Sequence, residues 1–457
     1  MSTVAERIGE YVADLKFEDL GTDVVDYAKR ILLDSIACAY GGSESEPARL
    51  TRATVSELGS LDHATIWANG TTSSAQLAAL ANGVAIRYQD YNDVYFGPAW
   101  TAHPSDNIAT LFAVAEWKRC SGAEFLLAMV VAYEVQMRFS DLQVTRNLWH
   151  SGWHHTAACS YAAAAGVSKL LGLDARRTTH AITLAGARSN TFAEIRHGDI
   201  PMDKALSAPI VASQSVLYAL LAQRGFTGCA TLLEGDYGFR GAVAGGVDVE
   251  PLVPVKGDYR ILKISLKPYP VEGMTPAMVQ ATIELKEEYL IDPSEVQAIR
   301  ILAHEEAVTK PSWDEKKLAP TTKETADHSF YYCVAVALVA GTVTSEQFSD
   351  RWLRDPTVAL LISKTRLESK SEFTRLFKQG ARPAAVEIVT SRGTFYREVL
   401  YPRGDPQSPM TWQHIIRKLN DQAGNRLGTA AIQRIAERTA SMEQESDLRN
   451  FSRMLVG

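Results

Sequence analysis

Side chains able to move protons or hold anions gather in four short polar stretches of this 457-residue chain. The first, "DYNDVYFGPAWTAHPSDN" (90–107), holds Asp90, Asp93, His103, Asp106 and Asn107 among turn-forming Gly and Pro. Imidazole titrates near neutrality, and a nearby carboxylate can fix its tautomer, so this pattern suits acid–base work. A plainer account competes with it: Asp106 or Asn107 caps the next helix, and "TAHP" is an ordinary turn. The second stretch, "RNLWHSGWHHTAACS", places His150, His154 and His155 beside small residues that leave room for a ligand. The third, "ARSNTFAEIRHGDIPMDKALSA", brings Arg188, Asn190, Arg196, His197, Asp203 and Lys204 between two apolar runs. Lys204, at the mouth of "ALSAPIVAS", either snorkels to solvent or sits where its charge matters. The fourth joins "LKPYPVEGMTP" to "ETADHSFYYCV" and offers Lys267, Glu272, His328, Tyr331 and Tyr332.

The text around these stretches is mostly helical. "VVDYAKRILLDSIACAYGG" has apolar residues at helical spacing and stops at a Gly pair;. "SSAQLAALANGVAIRY" runs into the polar loop and "NIATLFAVAEWKR" runs out of it. The Ala-rich "GAEFLLAMVVAYEVQMRFSDL", "TAACSYAAAAGVSKLLGL" and "APIVASQSVLYALLAQRGF" are nearly apolar all round, which predicts helices buried among helices;. After residue 263 the texture changes. "YRILKISLKPYP", "AIRILAHE" and "AAVEIVTSRGTFYREVLYPRG" read as strands, interleaved with helical "TPAMVQATIELKEEY" and "ADHSFYYCVAVALVAG";. From residue 410 the text is helical again. The expected fold is a mainly α-helical large domain (1–263 plus 410–457) carrying an inserted, smaller α+β lid (264–409).

Hydrophobic residues at 46%, charged residues at 22% and a formal charge of −6 describe a folded chain with no basic face for nucleic acid;. No uninterrupted apolar run of about 20 residues predicts a membrane span, and the first twenty residues do not read as a secretion signal. Cys38, Cys120, Cys159, Cys229 and Cys333 are scattered without CxxC spacing, as for reduced thiols in a cytoplasmic protein;. Nucleotide-binding glycine motifs, HExxH and GxSxG are absent;. Neither a metal nor an organic cofactor is expected.

In order along the chain, "LLDSIACAYGG", "ANGVAIRYQDYND", "HPSDNI", "GWHH", "GDIPMDKALSA", "LKPYPVEG", "TADHSFYYCVAVAL" and "YPRGDPQSPM" resemble the MmgE/PrpD family. That family includes 2-methylcitrate dehydratase, cis-aconitate decarboxylase and iminodisuccinate epimerase. The resemblance implies a helical domain with an inserted lid, a site in the cleft between them, no cofactor, a homodimer, and small di- or tricarboxylate substrates. It assigns catalytic positions to Asp90, His103, one of His154 and His155, Lys204 and Tyr332, with Lys267 on a substrate carboxylate. Asp93, Arg196 and Glu272 join Lys267 as expected substrate contacts. Two departures narrow the chemistry. The decarboxylase pattern K-x-F-P-A-H is here Lys267-Pro-Tyr-Pro-Val-Glu272, and Glu272 repels a carboxylate where His attracts one. The dehydratase pattern is broken by Met274, Pro276 and Val94. The expected activity is a hydro-lyase of the 2-methylcitrate dehydratase type. An iminodisuccinate-type epimerase or a dehydratase of another hydroxy acid comes next, a cis-aconitate decarboxylase after it, and a non-catalytic helical scaffold last.

Overall fold

The computed structural model describes residues 2–188, 191–309 and 313–456, so Asn190 lies outside the described residues. Helices begin where caps precede apolar text. α1 (Val4–Asp14) opens on a capping box in which Thr3 and Glu6 satisfy each other's backbone N–H groups;. α2 (Thr22–Gly42) and α3 (Glu46–Glu57) follow. A small hairpin, β1 (Ala64–Thr65) and β2 (Thr72–Ser73), then leads to α4 (Ala75–Tyr88), capped by Ser74. Inside the polar loop, β3 (Tyr95–Phe96) pairs antiparallel with β4 (Thr101–Ala102). A 3-10 turn at Pro104–Asn107 continues into α5 (Ile108–Lys118). α6 (Gly122–Ser140), α7 (Thr156–Leu170), α8 (Ala175–Gly186) and α9 (Asp203–Gln223) complete the N-terminal bundle.

The Ala-rich text produces what its composition predicts. Every residue of α7 from Thr156 to Ser168 is buried, and α6 and α9 pack against it. Small residues let these helices approach closely: a Cβ on Gly42, at the end of α2, would stand 2.0 Å from the Ala85 carbonyl oxygen of α4. α9 is long and apolar enough by composition to cross a membrane, although Ser, Pro and Gln interrupt its run. It packs against α4, α7 and α8.

The second part contains α10 (Pro276–Tyr289), β5 (Val296–Ala303), α11 (Lys323–Ala326), α12 (Phe330–Ala340), α13 (Asp350–Leu353), α14 (Pro356–Ser363), β6 (Thr365–Ser369), α15 (Ser371–Lys378), β7 (Ala384–Thr390) and β8 (Gly393–Val399). The sheet order is β6-β5-β7-β8, with β5 parallel to β6 and the other pairs antiparallel. α10 covers β7 and β8 and packs on α12. The chain then returns: α16 (Trp412–Ala423) and α17 (Thr429–Ala440) lie on α2, and α18 (Leu448–Ser452) lies on α5. Buried apolar residues accordingly form two large clusters, one spanning Val4–Leu266 and Met410–Leu455, the other Val271–Val399.

Two local expectations change. "YRILKISLKPYP" is a connector rather than a strand: Arg260–Lys263 is a 3-10 turn, and only Ser265 pairs, in an isolated bridge to Val94. Ile261, Ile264 and Leu266 are buried in the helical cluster, so the segment is apolar for packing rather than for pairing. β6, by contrast, was not legible. It is a mostly exposed edge strand carrying Arg366 and Glu368, and charge on an edge strand discourages pairing with other chains;.

Candidate active site

A cavity of about 140 Å³ opens between the helical bundle and the α+β lid. That is some tenfold more than the roughly 10–15 Å³ one water requires on the same measure, so it suits a small molecule. The bundle contributes Arg87, Asp90, Trp100, His103, His155 and Arg196; the lid contributes Glu272, Met274, Lys317 and His328.

Asp90 anchors the floor. It sits at the end of α4 with φ +52, a left-handed conformation unusual outside Gly;. Its carboxylate pairs with Arg87 and accepts from Lys267 Nζ at 2.9 Å, while Lys204 Nζ lies 3.8 Å away. Burial alone would raise the Asp90 pKa, but Lys204, Lys267 and Arg87 outweigh it and hold the group well below the usual range;. The loop is braced from the C-terminal segment too: Lys418 of α16 donates to Asp34 and to the Tyr91 carbonyl, each at 2.7 Å.

His103 lines the cavity with a defined tautomer. Its Nδ1 is 2.6 Å from the Asp93 carbonyl oxygen, which can only accept, so Nδ1 carries the proton and Nε2 the lone pair;. Burial, with Arg87, Lys267 and His155 nearby, keeps this imidazole neutral by lowering its pKa well below 6.5. His155, the residue preceding α7, stands 5.1 Å from it between ring centroids. Neither ring nitrogen of His155 has a protein partner among the described residues. Burial, then Arg196 and Arg87, lower its pKa as well. Arg196 is buried, yet among the described residues no carboxylate lies within ion-pair distance of it. Burial and the Arg87 charge lower its pKa to about 10, so it remains a cation at neutral pH. Glu272 accepts the Met274 N–H at 2.8 Å through Oε2, and burial raises the pKa of its carboxyl group.

Five expected contacts sit elsewhere. His154 does not line the cavity; its Nε2 accepts from Arg196 Nε at 3.1 Å, so it aims the guanidinium. Asp93 is a loop brace rather than a substrate contact: Oδ1 accepts from the Ser105 N–H and hydroxyl, and Oδ2 accepts from Tyr133. Burial raises its pKa to about 6. Lys267 has its three N–H groups spent on the Asp90 carboxylate, the Asp90 carbonyl and the Val271 carbonyl, leaving none for a substrate carboxylate;. Lys204, in the first turn of α9, is fully buried and donates to both Asp327 oxygens at 3.1 and 3.0 Å. It therefore supports the cavity wall instead of clamping a substrate. Tyr332 lies in the lid core: the first turn of α12 turns its hydroxyl to the Gln347 carbonyl at 2.6 Å, away from the cavity.

Two participants escaped selection from the sequence. Arg87 ends an apolar helix and gives no pattern of its own. Asp327 stands in "TADHSFYYCV", where His328 and the aromatic pair drew attention first. The competing capping account of the loop also fails, because Asn107 makes no cap bond and instead donates to Pro104 and Gln136. Among the described residues, no group of three His, Cys, Asp or Glu side chains could hold a metal ion.

A cavity between a helical bundle and an α+β lid, carrying an uncompensated guanidinium and neutral imidazoles, has the groups an anion-binding acid–base site needs. The chain belongs to the MmgE/PrpD family, matching the MmgE/PrpD N-terminal domain over residues 6–252 and the C-terminal domain over 269–444. It is similar to a cis-aconitate decarboxylase-like protein, oryM, of Aspergillus oryzae (25% identical, covering 99% of this chain and 97% of the relative). It is also similar to a 2-methylcitrate dehydratase of Cupriavidus necator (28%, covering 83% and 81%) and to a cis-aconitate decarboxylase of Homo sapiens (23%, covering 100% and 95%). Relatives named as dehydratases and decarboxylases support an enzyme.

Proposed function

We propose that this protein is a cofactor-independent hydro-lyase of the 2-methylcitrate dehydratase type, removing water from a small hydroxy di- or tricarboxylate. The observation that carries this reading is the His103 tautomer, with its Nε2 lone pair available on a cavity wall that also holds the uncompensated Arg196. Arg196 binds a substrate carboxylate by paired, charge-assisted hydrogen bonds. Arg196 and the nearby Arg87 stabilise the charge that builds there as the α-proton leaves.

His103 Nε2 takes the α-proton; its low pKa rises once substrate carboxylates offset the nearby cations. The C–H electron pair becomes the C=C bond and the C–O bond breaks. Glu272, whose carboxyl pKa burial raises, is the acid that supplies the proton that lets hydroxide depart as water. The proton on His103 returns to Glu272 through solvent. Glu272 also stands where the decarboxylase pattern has His, so this position offers no imidazolium to a second carboxylate. Relatives named 2-methylcitrate dehydratase support the dehydratase reading, and others named cis-aconitate decarboxylase keep decarboxylation in the test.

The test is a panel of 2-methylcitrate, other hydroxy acids, cis-aconitate and iminodisuccinate, with alkene absorbance, released CO2 and optical rotation followed together. Alkene formation from a hydroxy acid is expected. CO2 release or racemisation without alkene would replace this reading with decarboxylation or epimerisation.

A further inference from the structure

Among the described residues, His328 is the one imidazole that the lid places on the cavity, and its setting differs from those of His103 and His155. Its Nδ1 contacts Asp327 Oδ1, and Lys204 Nζ lies 3.5 Å from the same nitrogen. Asp327 is completely buried and holds two lysines: Lys204 on both oxygens, and Lys323 on Oδ2 at 2.7 Å. Lys323 also donates to the Tyr88 carbonyl at 2.6 Å, which ties the pair to the end of α4. With two cations beside it, Asp327 stays ionised and can only accept. The His328 proton is therefore on Nδ1, and Nε2 presents a lone pair. Among the described residues the ring's hydrogen bonds run through Nδ1 alone, and His328 is the member of the pair that lines the cavity.

A neutral imidazole fixed in this way is a hydrogen-bond acceptor. From these contacts we infer that His328 is a specificity residue that accepts the hydroxyl hydrogen of a bound hydroxy acid, with Asp327 as the positioning residue that sets its tautomer. The inference deepens the hydro-lyase reading and rests on it for the substrate class. An acceptor aimed into the space a ligand fills costs binding energy when nothing donates to it. Ligands with hydrogen or fluorine in place of the hydroxyl leave it unmet, and fluorine adds lone-pair repulsion. Burial and Lys204 hold the His328 pKa at about 3, against Asp327 and Asp90, so the acceptor form persists at neutral pH.

The experiment is calorimetric binding of matched ligands to the full-length protein: malate, succinate and fluorosuccinate, and citrate against tricarballylate. The unmodified protein is expected to prefer the hydroxyl member by at least about tenfold. His328→Leu should abolish the preference, while His328→Gln, which retains an acceptor oxygen, should restore part of it. Asp327→Asn separates positioning from bulk structure. Its oxygen is drawn to the two lysines, which turns the amide N–H toward His328 Nδ1, moves the imidazole proton to Nε2 and makes that nitrogen a donor. Fluorosuccinate should then gain on malate, whereas a general loss of structure would weaken every ligand alike. Equal binding within every pair by the unmodified protein, or a preference that survives His328→Leu, overturns the inference. Hydroxyl preference in a protein that eliminates no water would defeat the hydro-lyase reading and leave this one standing.

Discussion

Replacing Asp90 by Asn isolates one charge at the centre of the site. Asn keeps the shape of Asp and tolerates the left-handed backbone that φ +52 demands;. What it removes is the anion facing Arg87, Lys267 and Lys204, all buried. Taking one partner from a buried ion pair costs about 3–5 kcal/mol, against a total stability of roughly 5–15 kcal/mol for an ordinary protein. Part of that loss is recoverable, because an uncompensated lysine can shed its proton. Lys204 already titrates at about 7 instead of 10.5, since burial outweighs the attraction of Asp327 and Asp90. Its folded form thus binds fewer protons than its unfolded form between those values, so stability rises with pH through that window. Without Asp90 the Lys204 pKa falls further and the window opens at lower pH. The Asn variant should be most destabilised in mild acid and recover progressively toward alkaline pH. Asp90 itself has a depressed pKa, so the unmodified protein keeps its contribution at neutral pH and loses it only in strong acid. Denaturant unfolding of both proteins across this range, read by a probe in each domain, gives the comparison. A defect below about 1 kcal/mol, the size of an average substitution, or one that grows with pH, would refute the charge accounting.

Three further outcomes follow from the site. His103→Asn should leave the protein folded but suppress both turnover and α-deuterium exchange; if both persist, the neighbouring His155 becomes the base. Arg196→Gln should raise KM by about ten- to hundredfold, the worth of a charged hydrogen bond, and Arg196→Lys should rescue it only in part; an unchanged KM would show that the carboxylate binds elsewhere. Tyr332→Phe should lose about 1 kcal/mol of stability with its bond to the Gln347 carbonyl, yet turn over normally, because the hydroxyl faces the lid core;. A collapse of kcat in that variant would return Tyr332 to the site.

The architecture was legible because it depends on local composition and period. Ala-rich runs without a polar face are expected inside, and α6 and α7 are buried along most of their length, whereas α9 leaves Leu206 and Leu217 exposed. The polar loop was equally visible, since Asp90, His103 and their turn residues lie within one short stretch. The sequence also marked the acid–base neighbourhood as a whole, including the His154–His155 doublet. What it left open was direction. Adjacent residues leave a turn on different sides, so only the packed structure could aim His155 at the cavity and His154 at Arg196. The lysines show the same limit more sharply. Lys204 and Lys267 carry the charge a carboxylate would need, but tertiary folding brings Asp327 and Asp90 to them first, across separations of 123 and 177 residues. A charge is written in the residue type, whereas its availability depends on which distant partner the fold delivers. Arg196 is left without a carboxylate and turned toward the cavity, and that decision belongs to the tertiary structure alone.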